Sequence, residues 1–404
     1  MRNKSVDLDK IAASLDISPS MYHYAVDRYN GISKYLETKG IKAEFYPQGS
    51  FRTGTVTRPM KNGVETDFDI DVICVLNYDK NSISAEKVKK IVGDALKEDE
   101  TYRKKLQPEE DRCWTLDYAN LTENVGLKLD VVPAVPEEST KVLKLVTLSV
   151  NYEYAQKAIL ITNKVNNMYD WLSSNPSGYG SWFDNINKKY LEIDLCQKKE
   201  KILNENRDVF GYNAKIEDVP DYYVRSSLQR VIQLLKRHRD IFFYRNDSKL
   251  KPSSVIITSL SAKIASETSP KKVDELLKYV VDGLDDYCLL LKDKKPKERY
   301  VGENRSYIKK EDGKWFITNP VDPDDNYAEY WTDEHAKAFF MWINTIKRDL
   351  IMPKSLNETQ YIIGLQTSFG KEMVERSIDL VDSITKSVEI ECPIKPWGIN
   401  NESR

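Results

Sequence analysis

The chain has 404 residues, of which 40% are hydrophobic and 31% charged, so it can bury a core and is not disordered by composition. Its 61 basic and 63 acidic residues give a formal charge of −2, which excludes nucleic-acid binding through bulk charge but not through a local basic groove. No apolar run approaches the ~20 residues of a membrane span, and the first residues lack the apolar core of a secretory signal, so we expect a cytoplasmic protein without membrane contact.

Cysteine and histidine usage restricts the kind of metal site. The five cysteines are scattered without a CxxC pair, which favours reduced thiols, and no two of the three histidines have ligand spacing. A zinc site is therefore not expected, and any bound metal should be a hard cation held by carboxylates.

The first part of the chain alternates one long helix with strand patterns. Residues 20–38 place apolar side chains on one helical face, with a start at Ser18-Pro19 and a stop at Gly40. A surface helix is predicted over 84–105. Strands are predicted over 42–47, 68–76, 112–119, 125–133 and 157–162, the third and fourth as a pair joined by Asn120 to Asn124.

From about residue 177 onward helical patterns dominate. The charged stretch 292–316 predicts a surface loop or ribbon, and the Pro and Asp residues of 319–331 predict a turn before a helix. Helices are predicted over 178–204, 222–243, 252–267, 270–292, 333–349 and 369–387. We therefore expect an α+β protein with a sheet-based lobe over 1–170, a helical lobe over 171–404 and a ligand cleft between them.

The most informative segment runs from Tyr46 to Leu76. Gly49-Ser50 follows a short strand and precedes a small helix, where backbone can approach a phosphate closely. Asp69 and Asp71 alternate along the next strand, so both carboxylates project from the same face. Two such carboxylates repel each other unless a divalent cation neutralises them, and Mg²⁺ is the usual cation where phosphates supply further ligands.

A third acid, Asp130, interrupts the apolar strand pattern LKLDVVPAVP. A carboxylate there is costly to bury without a partner, and a neighbouring position to Asp69 and Asp71 would allow two metal ions ~3.5–4 Å apart. Taken singly, a DxD can be a solvated strand end and a GS can be an ordinary helix start. The combination is much rarer and favours phosphate chemistry.

These motifs together resemble the bacterial cGAS/DncV-like nucleotidyltransferases, the CD-NTases or SMODS-type oligonucleotide cyclases of the polymerase-β-type superfamily. The resemblance implies a bilobed polymerase-β-like fold, with a mixed-sheet N-terminal lobe, a long N-terminal helix and the active site in the cleft. The matching stretches are QGSFRTGT, TDFDIDVICVL, LKLDVVPAVP, SNPSGYGSWF, LQRVIQLLKRHRDIFF, KPSSVIITSL and NPVDPDDNYAEYW.

The resemblance also implies roles for individual residues. Asp130 would lie beside the attacking hydroxyl, and Tyr327 would stack on a base, although a packed core tyrosine is an equally open interpretation. Three acids are the implied catalytic residues and the ligands of two Mg²⁺ ions, which Mn²⁺ could replace: Asp69, Asp71 and Asp130. Seven residues are the implied nucleotide contacts: Gln48, Gly49, Ser50, Lys236, Ser254, Ser253 and Tyr327.

The implied activity is the joining of nucleoside triphosphates, ATP among them, with release of pyrophosphate and closure of a cyclic di- or trinucleotide messenger for anti-phage (CBASS-type) signalling. We expect a monomer without a zinc thumb or an obligatory DNA duplex, and a regulatory protein partner remains open. The basic stretch from Lys292 to Arg305 could bind RNA or be an exposed loop. Two alternatives also remain: a linear oligoadenylate synthase or another polymerase-β-type nucleotidyltransferase, and a non-catalytic nucleotide- or RNA-binding module.

Overall fold

The computed structural model describes residues 8–58, 60–61, 64–65, 67–122, 125–192, 195–211, 214–220, 223–296, 306–351, 358–371, 373–375 and 377. Within these ranges no helix is both long enough and apolar enough to cross a membrane. The strands are β1 (Ala43–Pro47), β2 (Met60–Lys61), β3 (Val64–Glu65), β4 (Phe68–Leu76), β5 (Trp114–Thr122), β6 (Val125–Pro136), β7 (Ile159–Val165), β8 (Met168–Ser174), β9 (Lys309–Glu311), β10 (Lys314–Phe316), β11 (Thr318–Asn319) and β12 (Asp322–Asn326).

The helices fall into two groups. Those of the sheet-containing half are α1 (Leu8–Ala13), α2 (Pro19–Thr38), α3 (Gly49–Arg52), α4 (Ala85–Glu98), α5 (Glu100–Arg103), α6 (Ser139–Thr147) and α7 (Tyr152–Ala155). Those of the second half are α8 (Pro176–Leu191), α9 (Leu195–Glu205), α10 (Arg207–Phe210), α11 (Ser227–Arg245), α12 (Ser254–Ser266), α13 (Val273–Asp285), α14 (Asp333–Ile346) and α15 (Glu358–Phe369).

One mixed sheet of six strands organises the first half. Its order is β1-β4-β6-β7-β8. Strand β5 also pairs with β6, along residues 125–131, whereas β7 pairs with residues 134–136 of the same strand. Strands β4 and β6 are parallel, whereas the other pairs are antiparallel. The parallel register sets Asp71 opposite Asp130. Because paired residues on neighbouring strands project from the same face, this register fixes where the acids lie.

Two separate hydrophobic cores support the two lobes. In the first, the apolar face of the sheet packs against α2 and α4, through residues such as Ile32, Val72 and Val92. In the second, α11 is enclosed by α1, α8, α12, α13 and α15, and most of its side chains are buried. Helix α1 packs in this second core, although the sequence groups residues 1–170 in the first lobe. The division near residue 170 stays a prediction.

Most predicted elements of the first lobe agree closely with the structure. Helix α2 begins after Ser18, whose hydroxyl accepts the Met21 backbone N–H, and Gly40 follows its end with a φ of +75°. The predicted strands 42–47 and 68–76 correspond to β1 and β4. The predicted helix over 84–105 is instead two helices, because the Asp99 side chain caps the start of α5. Strand β8 and helix α1 were not predicted.

The second lobe departs from prediction at three places. The helix predicted over 178–204 is divided into α8 and α9. The segment 319–331, predicted as a turn, contributes β12 to a hairpin with β11. The helix predicted over 369–387 is described at residues 369–371, 373–375 and 377, which are helical except for Gly370. Phe369 is the last residue of α15, a helix that was missed. Residues 309–316 form the predicted ribbon, but 297–305 of the basic stretch lie outside the described residues.

Candidate active site

The loop at Gly49-Ser50 lies directly against the β4 carboxylate. The backbone N–H of Gln48 donates to the Asp71 carbonyl at 2.9 Å, which ties the loop to β4. Gly49 has a φ of +63°, a left-handed conformation that glycine adopts without steric cost. A Cβ at this position would lie 3.2 Å from Asp71 Oδ2, so any side chain would crowd the carboxylate. Both features make glycine the fitting residue here.

The three predicted acids share one face of the sheet. Asp69 and Asp71 alternate along β4, and Asp130 lies opposite Asp71 on β6. Burial raises the pKa of Asp71 to about 6, and repulsion by Asp130 and Asp69 adds to the shift. The pKa values of Asp69 and Asp130 are raised as well, mainly by burial. The face therefore carries negative charge that a cation would relieve.

The donor set fits a hard divalent cation, but it is not gathered into a ready-made site. In the part of the chain that the structure describes, no three His, Cys, Asp or Glu side chains converge as metal ligands. Asp130 Oδ1 accepts the Thr115 hydroxyl at 2.5 Å, which holds this carboxylate near its own sheet position. Carboxylate oxygens are the ligand type that Mg²⁺ prefers, and the register places Asp71 and Asp130 side by side on adjacent parallel strands.

A row of side chains on α11 binds the backbone that follows the Gly49-Ser50 loop. The four residues, spaced so that they share one face of the helix, donate to carbonyl oxygens of residues 53–58; we call them the carbonyl clamp. The pairs are Gln229 with Thr53 (2.9 Å), Gln233 with Val56 (2.8 Å), Lys236 with Thr55 (2.8 Å) and Arg237 with Arg58 (2.5 Å). The clamp fixes the loop relative to the helical lobe.

A cavity of about 340 Å³ lies between the two lobes. It is lined by six of the seven predicted nucleotide contacts, Gln48, Gly49, Ser50, Lys236, Ser254 and Tyr327, together with Asp71. Ser253 is not part of this wall but precedes α12 as its cap residue. The Ser254 hydroxyl accepts from Arg239 Nη1 at 3.0 Å, which leaves its own proton available to a ligand. Burial lowers the pKa of Lys236 to about 8.

A second cavity of about 660 Å³ adjoins the first. Both cavities include Gln48, Asp71 and Ser174 in their walls. The second is otherwise lined by β-strand residues and the segment before β5, including Glu110, Asp111, Arg112 and Cys113. Asp71 therefore lies where two separate ligand-sized spaces meet.

Sequence reasoning missed several residues of the first cavity. Arg52, Asn175, Tyr179, Asn319 and Asp325 line it without having been predicted. Tyr179 belongs to the matching stretch SNPSGYGSWF, which was a usable signal. Asn319 and Asp325 belong to the matching stretch NPVDPDDNYAEYW, which was a usable signal as well, although this segment was interpreted as a turn before a helix.

Comparison with known proteins identifies the sheet-based part of the chain. Residues 43–131, which carry Gly49-Ser50, Asp69, Asp71 and Asp130, match the nucleotidyltransferase domain of the cyclic GMP-AMP synthase DncV-like family. The chain carries a DncV-like nucleotidyltransferase domain. The resemblance inferred from the sequence motifs is thereby confirmed. Over 354 residues the chain is 29% identical to a c-di-GMP synthase of Roseivirga ehrenbergii, covering 85% of this chain and 77% of that protein.

Solved structures confirm the α+β bilobed fold around this nucleotidyltransferase domain. The CD-NTase CdnG of Bradyrhizobium diazoefficiens in complex with GTP superimposes with a TM-score of 0.65 at 19% identity, covering 93% of this chain and 98% of that chain. CdnC of E. coli MS115-1 in its HORMA-deltaN complex gives a TM-score of 0.57 at 13% identity, covering 90% of this chain and 97% of that chain. At these identities the similarity establishes the fold alone.

Proposed function

We propose that the chain is a nucleotidyltransferase that joins two nucleoside triphosphates and closes a cyclic dinucleotide. The observation that carries this proposal is the position of Asp71 in the walls of two cavities, on the strand to which the Gln48 backbone N–H is hydrogen-bonded. A cyclic dinucleotide synthase needs room for two nucleotides, one on each side of the reacting phosphate. The similarity to a c-di-GMP synthase supports the same product class.

Each named residue has a task that its surroundings support. The Ser50 and Ser254 hydroxyls and the Lys236 ammonium line the first cavity and can bind the triphosphate through charge-assisted hydrogen bonds. Asp130 lies opposite Asp71, the acid shared by the walls of both cavities, and is the candidate to accept a proton from a hydroxyl bound beside Asp71. No covalent intermediate with the chain is required.

Asp69, Asp71 and Asp130 would hold divalent cations, with Mg²⁺ as the fitting metal. Such ions supply neutralisation of phosphate charge and activation of the attacking hydroxyl. The proposal extends to a second-messenger role in anti-phage signalling, to cytoplasmic location and to regulation by a protein partner. For the partner, the HORMA complex of the structurally similar CdnC is supporting evidence from another protein.

The test incubates the chain with four nucleoside triphosphates and Mg²⁺ and measures pyrophosphate and product mass. Asp71→Asn should lower the rate by about 10²–10⁴, because it removes one carboxylate from the charged face. Asp94→Asn, which changes an exposed acid of α4, is the matched control and should leave the rate unchanged. Equal product from Asp71→Asn and the parent chain would overturn the assignment.

The product separates the remaining alternatives. A cyclic product has no terminal phosphate and resists phosphatase, whereas a linear oligoadenylate loses its 5′-terminal phosphates and changes in mass. A nucleotide- or RNA-binding module without catalysis would bind nucleoside triphosphates and release no pyrophosphate. Resistance to phosphatase together with pyrophosphate release is the expected result.

A further inference from the structure

The first cavity has two chemically different ends along α12. At one end, Ser254 in the first turn of α12 lies with Lys236 and Ser50, all of them groups that suit phosphate. Five residues further along the helix, or about 7.5 Å, Ser259 pairs with the Tyr179 hydroxyl at 2.8 Å. A nucleotide bound with its phosphates at the first end therefore reaches the second end with its base.

The second end is formed by the hairpin of β11 and β12. Lys263 on α12 donates to the Thr318 carbonyl at 2.6 Å and so holds the hairpin against the helix. Asn319, Asp325 and Tyr327 from this hairpin region line the cavity. The end thus combines an aromatic ring with a carboxylate and an amide.

Asp325 differs from its two acidic neighbours on β12. Asp322 and Asp324 both form ion pairs with Lys141 of α6, and Asp324 pairs with Lys144 as well. Asp325 has no ion pair among the described residues and instead accepts Asn319 Nδ2 at 3.0 Å on Oδ2. Partial burial raises the pKa of Asp325, and the Asn319 hydrogen bond opposes the shift. Within the described part of the chain, Asp325 therefore lacks the direct lysine contact that both neighbours have, and Lys141 acts on its carboxylate only at longer range.

Asn319 holds this carboxylate in one orientation. Its own side-chain oxygen accepts the Val321 backbone N–H at 3.0 Å, which fixes the amide so that its nitrogen points to Asp325. Each carboxylate oxygen has two acceptor positions, so Asp325 retains acceptor capacity on both oxygens. The cavity end is therefore a preset hydrogen-bond acceptor.

We propose that Asp325, oriented by Asn319, makes the first cavity selective for guanine by accepting the N1–H and N2–H groups of its Watson–Crick edge. This inference rests on the proposed function of the site. Guanine alone among the four bases presents two adjacent donors there. Adenine and cytosine present a donor beside an acceptor, and uracil presents one donor between two acceptors. Each of these bases would therefore place an acceptor lone pair against a carboxylate oxygen, which is repulsive.

The amide in Asp325→Asn offers one donor and one acceptor, which complements adenine instead. A good bidentate base contact discriminates by about 10- to 100-fold. We expect the parent chain to bind GTP at least about 10-fold more tightly than ATP, and Asp325→Asn to lose or invert this ratio. ITP lacks the 2-amino group, so the parent should bind it between GTP and ATP.

The experiment measures dissociation constants of GTP, ITP and ATP with Mg²⁺ for the parent, Asp325→Asn and Asp324→Asn. Asp324 is the matched control, because it neighbours Asp325 but pairs with lysines outside the cavity. Asp324→Asn should keep the parental ratios. The GTP-to-ITP comparison in the parent needs no variant and remains decisive if Asp325→Asn fails to fold.

The outcomes separate the inference from the proposed function. Unchanged GTP preference in Asp325→Asn, or equal affinity of the parent for GTP and ITP, overturns the guanine assignment even if the chain makes product. Selective GTP binding by a parent chain that never releases pyrophosphate overturns the proposed function and leaves the guanine assignment standing.

Discussion

Burial of the Lys236 ammonium group costs free energy, but its positive charge suits the binding of a triphosphate. Burial lowers its pKa, the positive charge of Arg239 adds to the shift, and Asp240 opposes it. The Lys236 ammonium donates a hydrogen bond to the Thr55 carbonyl, which is neutral. A triphosphate in the cavity would supply the missing negative charge. The folded chain without nucleotide therefore holds a charge that only a bound ligand fully compensates.

The lowered pKa of Lys236 predicts how the free energy of unfolding depends on pH. The pKa of Lys236 is about 8 when folded, against 10.5 for the ordinary group. Between these values the unfolded chain binds more protons, so the contribution of Lys236 to the free energy of unfolding rises with pH. In Lys236→Met this contribution is absent, so the melting temperature of the variant relative to the parent should fall as pH increases from 8 to 10.

The control for that measurement is Lys249→Met, which changes an exposed lysine close in sequence. Its melting temperature relative to the parent should not drift over the same pH range. A constant difference for Lys236→Met from pH 7 to 10 would contradict the buried, uncompensated charge. The same variant should bind GTP about 10-fold or more weakly, because a charge-assisted hydrogen bond is lost.

At the scale of elements, the carbonyl clamp joins α11 to the loop that follows α3. Each of its hydrogen bonds contributes about 1 kcal/mol, and together they fix a segment that has no regular structure of its own. Gly54 is part of this fit, because its φ is +64° and a Cβ on it would overlap Gln229 Nε2. The hydrogen bond from Gln229 to Thr53 therefore depends on a glycine at position 54.

Gly54→Ala should lower both stability and nucleotide affinity. The left-handed backbone costs about 1 kcal/mol for a residue with a side chain, and the overlap displaces Gln229 from the loop. Gly40→Ala is a matched control, since Gly40 has a φ of +75° and nothing within 4 Å of an added Cβ. Gly40→Ala should lower stability only by the cost of a left-handed backbone conformation.

Melting temperature and GTP affinity, measured on both variants, check this prediction. Gly40→Ala should leave GTP affinity at the parental value, whereas Gly54→Ala should weaken it several-fold. If Gly54→Ala binds GTP as the parent does, the clamp does not position the nucleotide loop.

On the scale of the whole molecule, the two lobes are joined on several sides of the first cavity. The clamp lies on one side, Arg52 of α3 pairs with Asp184 of α8 at 2.6 Å, and Lys141 of α6 reaches Asp322 on the hairpin at 3.0 Å. A bound nucleotide would touch residues of both lobes. The formal charge of −2 leaves the molecule without a global field that would attract a polyanion.

Product formation should therefore not require a nucleic-acid duplex. Neutralising a duplex takes many basic contacts, and binding through them is strongly salt-dependent. The rate after nuclease treatment should equal the rate with added duplex DNA or duplex RNA, measured as pyrophosphate release at 50 and 200 mM salt. If nuclease treatment abolished activity and duplex RNA restored it, this prediction would be contradicted, and the basic stretch from Lys292 to Arg305 would be the first candidate for the RNA contact.

Features with a local cause could be predicted from the sequence. The period of two in β4 predicts that Asp69 and Asp71 share a face, and Ser18 followed by Pro19 predicts the start of α2. The helix break at Asp99 was missed because the charged residues of 97–105 also suit the solvent-exposed face of a continuous helix. Gln229 and Asp325 were missed for a different reason: the partner of Gln229 is a backbone carbonyl 176 residues away, and Asp325 is held by Asn319 within a hairpin that the sequence pattern predicts as a turn.

The carbonyl clamp donates hydrogen bonds to main-chain carbonyl oxygens, which every amino acid possesses. The clamp itself therefore constrains only Gly54 among residues 53–58, whereas Thr53, Thr55 and Val56 are kept by their own burial. On α11 the clamp constrains the side chains directly, so the Gln-x3-Gln-x2-Lys-Arg spacing of this helix should help to recognise distant relatives.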